Sequence, residues 1–239
     1  MALNLEKRNE KLTLSLTKKK IASVRAQVGT VFDRSGSMDS LYHDGTMQEY
    51  ANRLIPIGLR FDDNGQIDNW AFHNEVFATG PITTENVETF VKSEIMRIPS
   101  RGTSYAPVLE AIAEHYFGTA APKPRGLFKS LFGGKAEDAQ KSTDPVYLIF
   151  QTDGDNDDKR ETDAVLKKLN AQGIYIQFVG IGHETFKFIQ DMGDKYDNVG
   201  FFKVDNLTKT TDETLYDLLI NDEFKAFLKA KFPNNIKEI

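Results

Sequence analysis

Val24-Arg25-Ala26-Gln27-Val28-Gly29-Thr30-Val31-Phe32 runs directly into Asp33-Arg34-Ser35-Gly36-Ser37, and this junction decides the fold. Residues 24–32 read as a strand, rich in β-branched and apolar side chains, which the polar turn at 33–37 stops abruptly. Beyond the turn, Met47, Tyr50, Ala51, Leu54, Ile55 and Gly58 recur at the spacing that places side chains on one helical face. Strand, polar turn and helix together make one β-loop-α unit.

Working outward, the unit repeats. Residues 67–72 form a second strand, and residues 76–78 follow so closely that only a tight turn can reach them, which predicts antiparallel pairing. Residues 84–98 read as helical, with Val87, Phe90, Val91, Ile95 and Ile98 on one side. Ser100-Arg101-Gly102-Thr103-Ser104 leads into a helix through Phe117, with Pro107 tolerated in its first turn. The alternation resumes with strand 146–150, helix 161–171, strand 174–179, helix 184–192, strand 201–204 and a last helix over 212–231. Strands separated by helices of this length predict an α/β fold, doubly wound, with a mostly parallel sheet covered by helices on both faces.

Two segments depart from the alternation. Residues 1–25 hold seven Lys/Arg against two Glu, a surplus of five positives in a chain of net charge -5, so the remainder carries about -10. Residues 1–20 are therefore read as a basic arm, in which Leu12, Leu14 and Leu16 alternate with polar residues as in a short edge strand. Residues 118–144 are read as an insertion in a domain spanning 21–232. If residues 127–132 turn helical, Leu127 pairs with Leu131 and Phe128 with Phe132, ringed by Lys123, Arg125, Lys129 and Lys135. Such a basic, apolar knob suits a partner groove or an anionic membrane face; the competing reading folds its aromatics back onto the domain.

Composition removes several function classes. There is no cysteine, which excludes disulfide frameworks, thiol nucleophiles and Cys-type zinc or iron–sulfur sites. The acidic balance argues against coating nucleic acid by bulk charge, and no nucleic-acid partner is expected. The amino end is charged by residue 6 and lacks the apolar segment of a secretory signal, and no apolar run approaches a bilayer span, so a cytoplasmic location is expected. Asp153-Gly154-Asp155-Asn156-Asp157-Asp158 imitates a calcium loop but has Asp158 where the turn needs glycine and Ala164 where the loop needs Glu. Asp155 and Asp157 are read instead as a solvated acidic turn at the start of the helix at Glu161. Of the four histidines, His73 lies just past a strand end, within reach of the loop face, and is read as a surface loop residue. Trp70 and Phe72 are read as core.

In a parallel sheet, ligands collect at the carboxyl ends of the strands. Three polar loops lie there: Asp33-x-Ser35-x-Ser37, Gly102-Thr103-Ser104 and Thr152-Asp153-Gly154-Asp155. They supply oxygen only, a donor set for a hard divalent cation, Mg²⁺ or Mn²⁺ with Ca²⁺ as an alternative. The competing reading makes Ser37 and Thr103 helix caps and Asp153 a turn residue. With Ser35, Ser37 and Thr103 neutral, an ion held by them and by Asp33 and Asp153 stays electrophilic and accepts an outside carboxylate.

These loops, in this order, resemble the metal-ion-dependent adhesion site (MIDAS) of von Willebrand factor A (vWA) domains, and the resemblance covers about residues 21–220. It implies a metal site made of Asp33, Ser35, Ser37, Thr103 and Asp153, with the open position taken by an acidic side chain of a partner protein. The chain is most similar to vWA proteins of bacterial tellurium-resistance (Ter-type) clusters, through Leu3-Asn4-Leu5-Glu6-Lys7, residues 12–16 and the segment 126–134. The expectation is a non-enzymatic, metal-dependent protein-binding module of a tellurium-resistance or stress-response system. The alternatives are a Mg²⁺-assisted phosphoryl-transfer enzyme using Asp33 or Asp153, and a scaffold with a vestigial site.

Overall fold

The computed structural model describes residues 4–118 and 143–239. The insertion proper, including Leu127, Phe128, Leu131 and Phe132, lies outside the described residues. The elements run α1 (Leu5–Lys18), β1 (Ile21–Val24), β2 (Gln27–Asp33), α2 (Asp39–His43), α3 (Thr46–Phe61), β3 (Asp68–Phe72) and β4 (Val76–Ala78). They continue with α4 (Val87–Phe90), α5 (Ala106–Phe117), β5 (Val146–Thr152), α6 (Lys159–Leu169), β6 (Ile174–Ile181), α7 (Lys187–Lys195), β7 (Val199–Val204), α8 (Asp212–Leu219), α9 (Asp222–Lys231) and β8 (Ile236–Glu238). Six strands form one sheet in the order β4-β3-β2-β5-β6-β7, parallel except for the β3–β4 pair. The α/β, doubly wound architecture and the antiparallel turn-back at residues 76–78 are as the sequence predicts.

Alternation along each central strand sends side chains to both faces, and both are covered. On one face Phe32, Tyr147, Ile149 and Tyr175 pack with Leu54 and Ile55 of α3, Leu215 and Leu219 of α8, and Phe224 and Leu228 of α9. On the other Phe72, Leu148, Phe150 and Phe178 pack with Leu109 of α5, Leu166 of α6 and Ile189 of α7. Trp70 and Phe72 are core residues, as read from sequence. The chain leaves β2 to one side for β3 and β4, then returns on the other side with β5. The switch point therefore falls between β2 and β5, where a crevice opens at the strand ends.

Four local readings are corrected. The arm is a helix, α1, and not an edge strand. Leu12, Ser15 and Leu16 are buried on one helical face together with Arg8, whereas Leu14, the middle member of the alternating trio, is 47% exposed. Leu, Lys and Glu favour helix, and packing against α3 and α8 completes it. The first strand is interrupted at Arg25-Ala26, and β1 pairs with β8 in a separate two-stranded sheet. Residues 84–98 form only the short α4 followed by a π-helical turn, Val91–Ile95. The last helix is two helices, because Asn221 turns extended and its side chain accepts the Phe224 N–H, starting α9 afresh. Among the described residues no helix is long and apolar enough to cross a membrane.

Candidate metal centre

β2 ends in Asp33, and its parallel register with β5 pairs Phe32 with Gln151, which sets Asp33 level with Thr152. The Thr152 hydroxyl donates to Asp33 Oδ2 at 2.6 Å, and the Ser35 N–H donates to Oδ1 at 2.7 Å. Asp33 is fully buried, and burial pushes its carboxyl up to about 6 in spite of the bonds from Thr152 and Ser35; the charge of Asp153 adds to the rise. Its sequence neighbour Arg34 offers no compensation. The Arg34 guanidinium turns away, donating to the Ile98 carbonyl at 3.0 and 3.1 Å, pairing with Asp39 at 3.0 Å and lying over the Tyr42 ring.

From Asp33 a line of oxygens leads outward. The hydroxyls of Ser35 and Ser37 lie 3.2 Å apart, and Ser37 donates to Asp153 Oδ1 at 2.8 Å. Burial raises the Asp153 carboxyl too, with the Ser37 bond working in the opposite direction. Asp33, Ser35, Ser37 and Asp153 are thus linked in series, Asp33 through the Ser35 main chain and the others through side chains.

The second loop is brought alongside by its main chain. Arg101 N–H donates to the Arg34 carbonyl at 3.2 Å, and Gly36 N–H donates to the Arg101 carbonyl at 3.0 Å, making a parallel bridge between Ser35 and Arg101. Thr103, two residues on, is held by Asp157: its N–H donates to Asp157 Oδ2 at 3.3 Å, and Asp157 N–H donates to its carbonyl at 2.8 Å. The Thr103 side chain makes no hydrogen bond among the described residues, so its hydroxyl has no structural occupation.

The helix-cap reading of these residues fails. Neither Ser35 nor Ser37 accepts a capping bond, and α5 is capped across the loops by Asp158, which takes the N–H groups of Tyr105 at 2.9 Å and Ala106 at 2.8 Å. The acidic turn after β5 is correspondingly not mere solvated surface. Asp155 pairs with Lys159 at 2.7 Å, Asp157 holds Thr103, and Asp158 starts α5.

His73 corrects another reading. It is wholly buried at the end of β3, its Nδ1 accepts the Glu75 N–H at 3.0 Å, and its carbonyl accepts the Ser104 N–H at 3.1 Å. Burial holds its imidazole below the usual value; the Arg101 and Arg34 charges act the same way and Glu75 opposes them. It is a buttress under the second loop rather than a surface group.

A family model described as the vWA domain found in the TerF C terminus matches residues 25–237. The chain belongs to the TerF-like vWA family. This vWA domain is 29% identical over 241 residues to the uncharacterized protein YcbR of Bacillus subtilis (strain 168), covering 99% of this chain and 90% of that one. Among solved structures it is similar in fold to proximal thread matrix protein 1 from the mussel byssus with a zinc-occupied MIDAS motif, at TM-score 0.54 and 17% identity over 83% of this chain and 48% of that one. A von Willebrand factor type A protein from Catenulispora acidiphila matches at TM-score 0.54 and 16% identity, over 82% and 42%. The vWA chain spans about half the length of these solved proteins, and at such identities they speak to the fold alone.

The donor chemistry of this vWA domain suits a hard cation. Asp33 is a carboxylate with no exposure and, among the described residues, no cationic side chain within ion-pair distance. Burying an unpaired charge is costly, and a divalent cation shared with the neighbouring oxygens would compensate it. Among the described residues no cluster of three or more His, Cys, Asp or Glu could hold a metal, so an ion here would rest on the hydroxyls as well as the carboxylates. Sequence reasoning missed the residues that support the loops. Thr152 and Asp158 read from sequence only as loop residues, and Tyr105, whose hydroxyl donates to Thr152 at 2.9 Å and also to the Gly154 carbonyl, as part of no motif; none carries a local pattern that marks its supporting role.

Proposed function

We propose that the chain is a metal-dependent protein-binding module in which Asp33, Ser35, Ser37, Thr103 and Asp153 hold Mg²⁺, or Mn²⁺ or Ca²⁺ in its place, and an acidic residue of a partner protein completes the ion's shell. Membership of the TerF-like vWA family supports a role in a tellurium-resistance or stress-response system, to which we assign the module, in the cytoplasm. The observation that carries this reading is Asp33: a fully buried carboxylate, unpaired with any described cation and hydrogen-bonded by the Thr152 hydroxyl and the Ser35 N–H. The zinc-occupied MIDAS motif of the mussel protein supports the same use of the fold.

The module binds rather than turns over. Both oxygens of Asp33 already accept hydrogen bonds and the side chain has no exposure, which suits a ligand-positioning group better than a nucleophile. Isothermal titration of the chelator-stripped protein with Mg²⁺ and Mn²⁺ tests the site. One-to-one binding that is lost in Ser37→Ala and Asp33→Asn is expected, and heat signals unchanged by either substitution remove the reading. Capture from a native lysate with and without EDTA then tests the partner. A protein held only in the presence of Mg²⁺, and released when one of its acidic residues is neutralised, is the expected result.

A further inference from the structure

The rim of the same centre carries Arg101, which the metal reading does not use. Its main chain is pinned on both sides, the N–H to Arg34 and the carbonyl to Gly36, directly opposite Ser35. Its side chain is exposed, and among the described residues its guanidinium has neither an ion pair nor a hydrogen bond. The contrast with Arg34 is direct: that guanidinium is buried and its donors are spent on Ile98 and Asp39. Acidic groups flank the same rim. Glu184 lies close enough to raise Asp153, Asp157 holds Thr103, and Glu75 stands beside His73.

A divalent ion between Asp33 and Asp153 is formally charge-balanced. The approach of an anionic ligand then depends on the surrounding field, which Glu184, Asp157 and Glu75 oppose and Arg101 favours. An unpaired guanidinium on a fixed backbone presents a planar fork of donors matched to a carboxylate.

We infer that Arg101 is a specificity-determining residue that takes a second carboxylate of the partner, so that the preferred ligand is an acidic peptide with two closely spaced acidic residues, one for the ion and one for Arg101. This rests on the proposed metal site. A rim charge of this kind discriminates between ligands more than it adds total affinity.

Two synthetic probes test it by NMR titration in saturating Mg²⁺: acetyl-Gly-Asp-Gly-amide, with one carboxylate, and acetyl-Gly-Asp-Gly-Asp-amide, with two. The wild type is expected to bind the two-carboxylate probe about three- to fivefold more tightly. Arg101→Ala is expected to erase that preference while keeping its Mn²⁺ affinity, read separately by electron paramagnetic resonance, and Arg101→Lys to keep part of it. Mg²⁺-dependent binding of both probes with a ratio that Arg101→Ala leaves unchanged, or with no preference in the wild type, overturns the role of Arg101 and leaves the metal site standing. Absence of Mg²⁺-dependent binding of either probe to the wild type overturns both.

Discussion

The Thr152 hydroxyl, at the end of β5, donates to the buried Oδ2 of Asp33, at the end of β2, across 2.6 Å. This bond ties the two strands that flank the switch point, and it makes the floor of the candidate centre a property of the sheet rather than of a loop. Because Tyr105 in turn donates to Thr152, the floor is braced from the second loop as well.

Asp33→Asn is expected to separate metal affinity from folding. The Asn amide can donate to Thr152, whose hydroxyl is free to turn to the Gly154 carbonyl 3.2 Å away. Without metal, relief of the buried charge leaves stability at pH 7.5 unchanged or raised by up to about 2 kcal/mol. Metal affinity falls by roughly 100-fold or more. Urea melts in EDTA and Mn²⁺ titrations check the two halves, and a variant that binds Mn²⁺ as the wild type does contradicts the assignment.

Asp158→Ala is expected to loosen the second loop from below. The N–H groups of Tyr105 and Ala106 lose their acceptor, as does Asn156, whose side chain donates to the same carboxylate at 2.6 Å. A loss of about 1–3 kcal/mol follows, together with weaker metal binding through Thr103. The urea midpoint and Mn²⁺ affinity should fall together.

α1 is tested by comparing two leucines. Leu12→Ala removes a buried side chain and should cost about 2–4 kcal/mol, whereas Leu14→Ala, on the exposed side, should stay within about 0.5 kcal/mol. An edge strand with Leu12, Leu14 and Leu16 on one face would make the two costs alike, and equal shifts in thermal midpoint would argue for it.

His73 predicts a pH dependence. Its folded-state value is lowered, so the unfolded chain binds more protons there, and the contribution of His73 to stability is complete above the unfolded value of about 6.5 and lost as the pH falls below it. His73→Gln keeps an acceptor for the Glu75 N–H but cannot titrate. Its stability curve in EDTA should be flatter than that of the wild type between about pH 6.5 and 5. Parallel curves in urea titrations across that range would exclude the histidine as the source.

Much of the candidate centre is legible in the primary structure because its parts are local. Asp33, Ser35 and Ser37 sit at the end of one apolar run, Asp153 at the end of another, and each loop announces itself by a change from strand to polar turn. Arg101 and His73 were visible only as residue types. Whether Arg101 lies opposite Ser35 and His73 is buried depends on which loops cross, and that is settled by the bridge to Ser35 and by the Glu75 and Ser104 main-chain bonds.

The amino-acid order alone determined the alternation of strands and helices, the mostly parallel sheet and the oxygen-only chemistry at its carboxyl edge, because periodicity and strand ends are written within a few neighbouring residues. Only the tertiary structure decided that residues 5–18 coil rather than extend, since Leu12 and Leu16 satisfy both periods, and the burial of Ser15 with the exposure of Leu14 selects one. It likewise decided that Asp158 caps a helix more than fifty positions before it in the chain, and that Asp33 is stripped of water. Those outcomes depend on which distant segments share a space, and no local pattern encodes that.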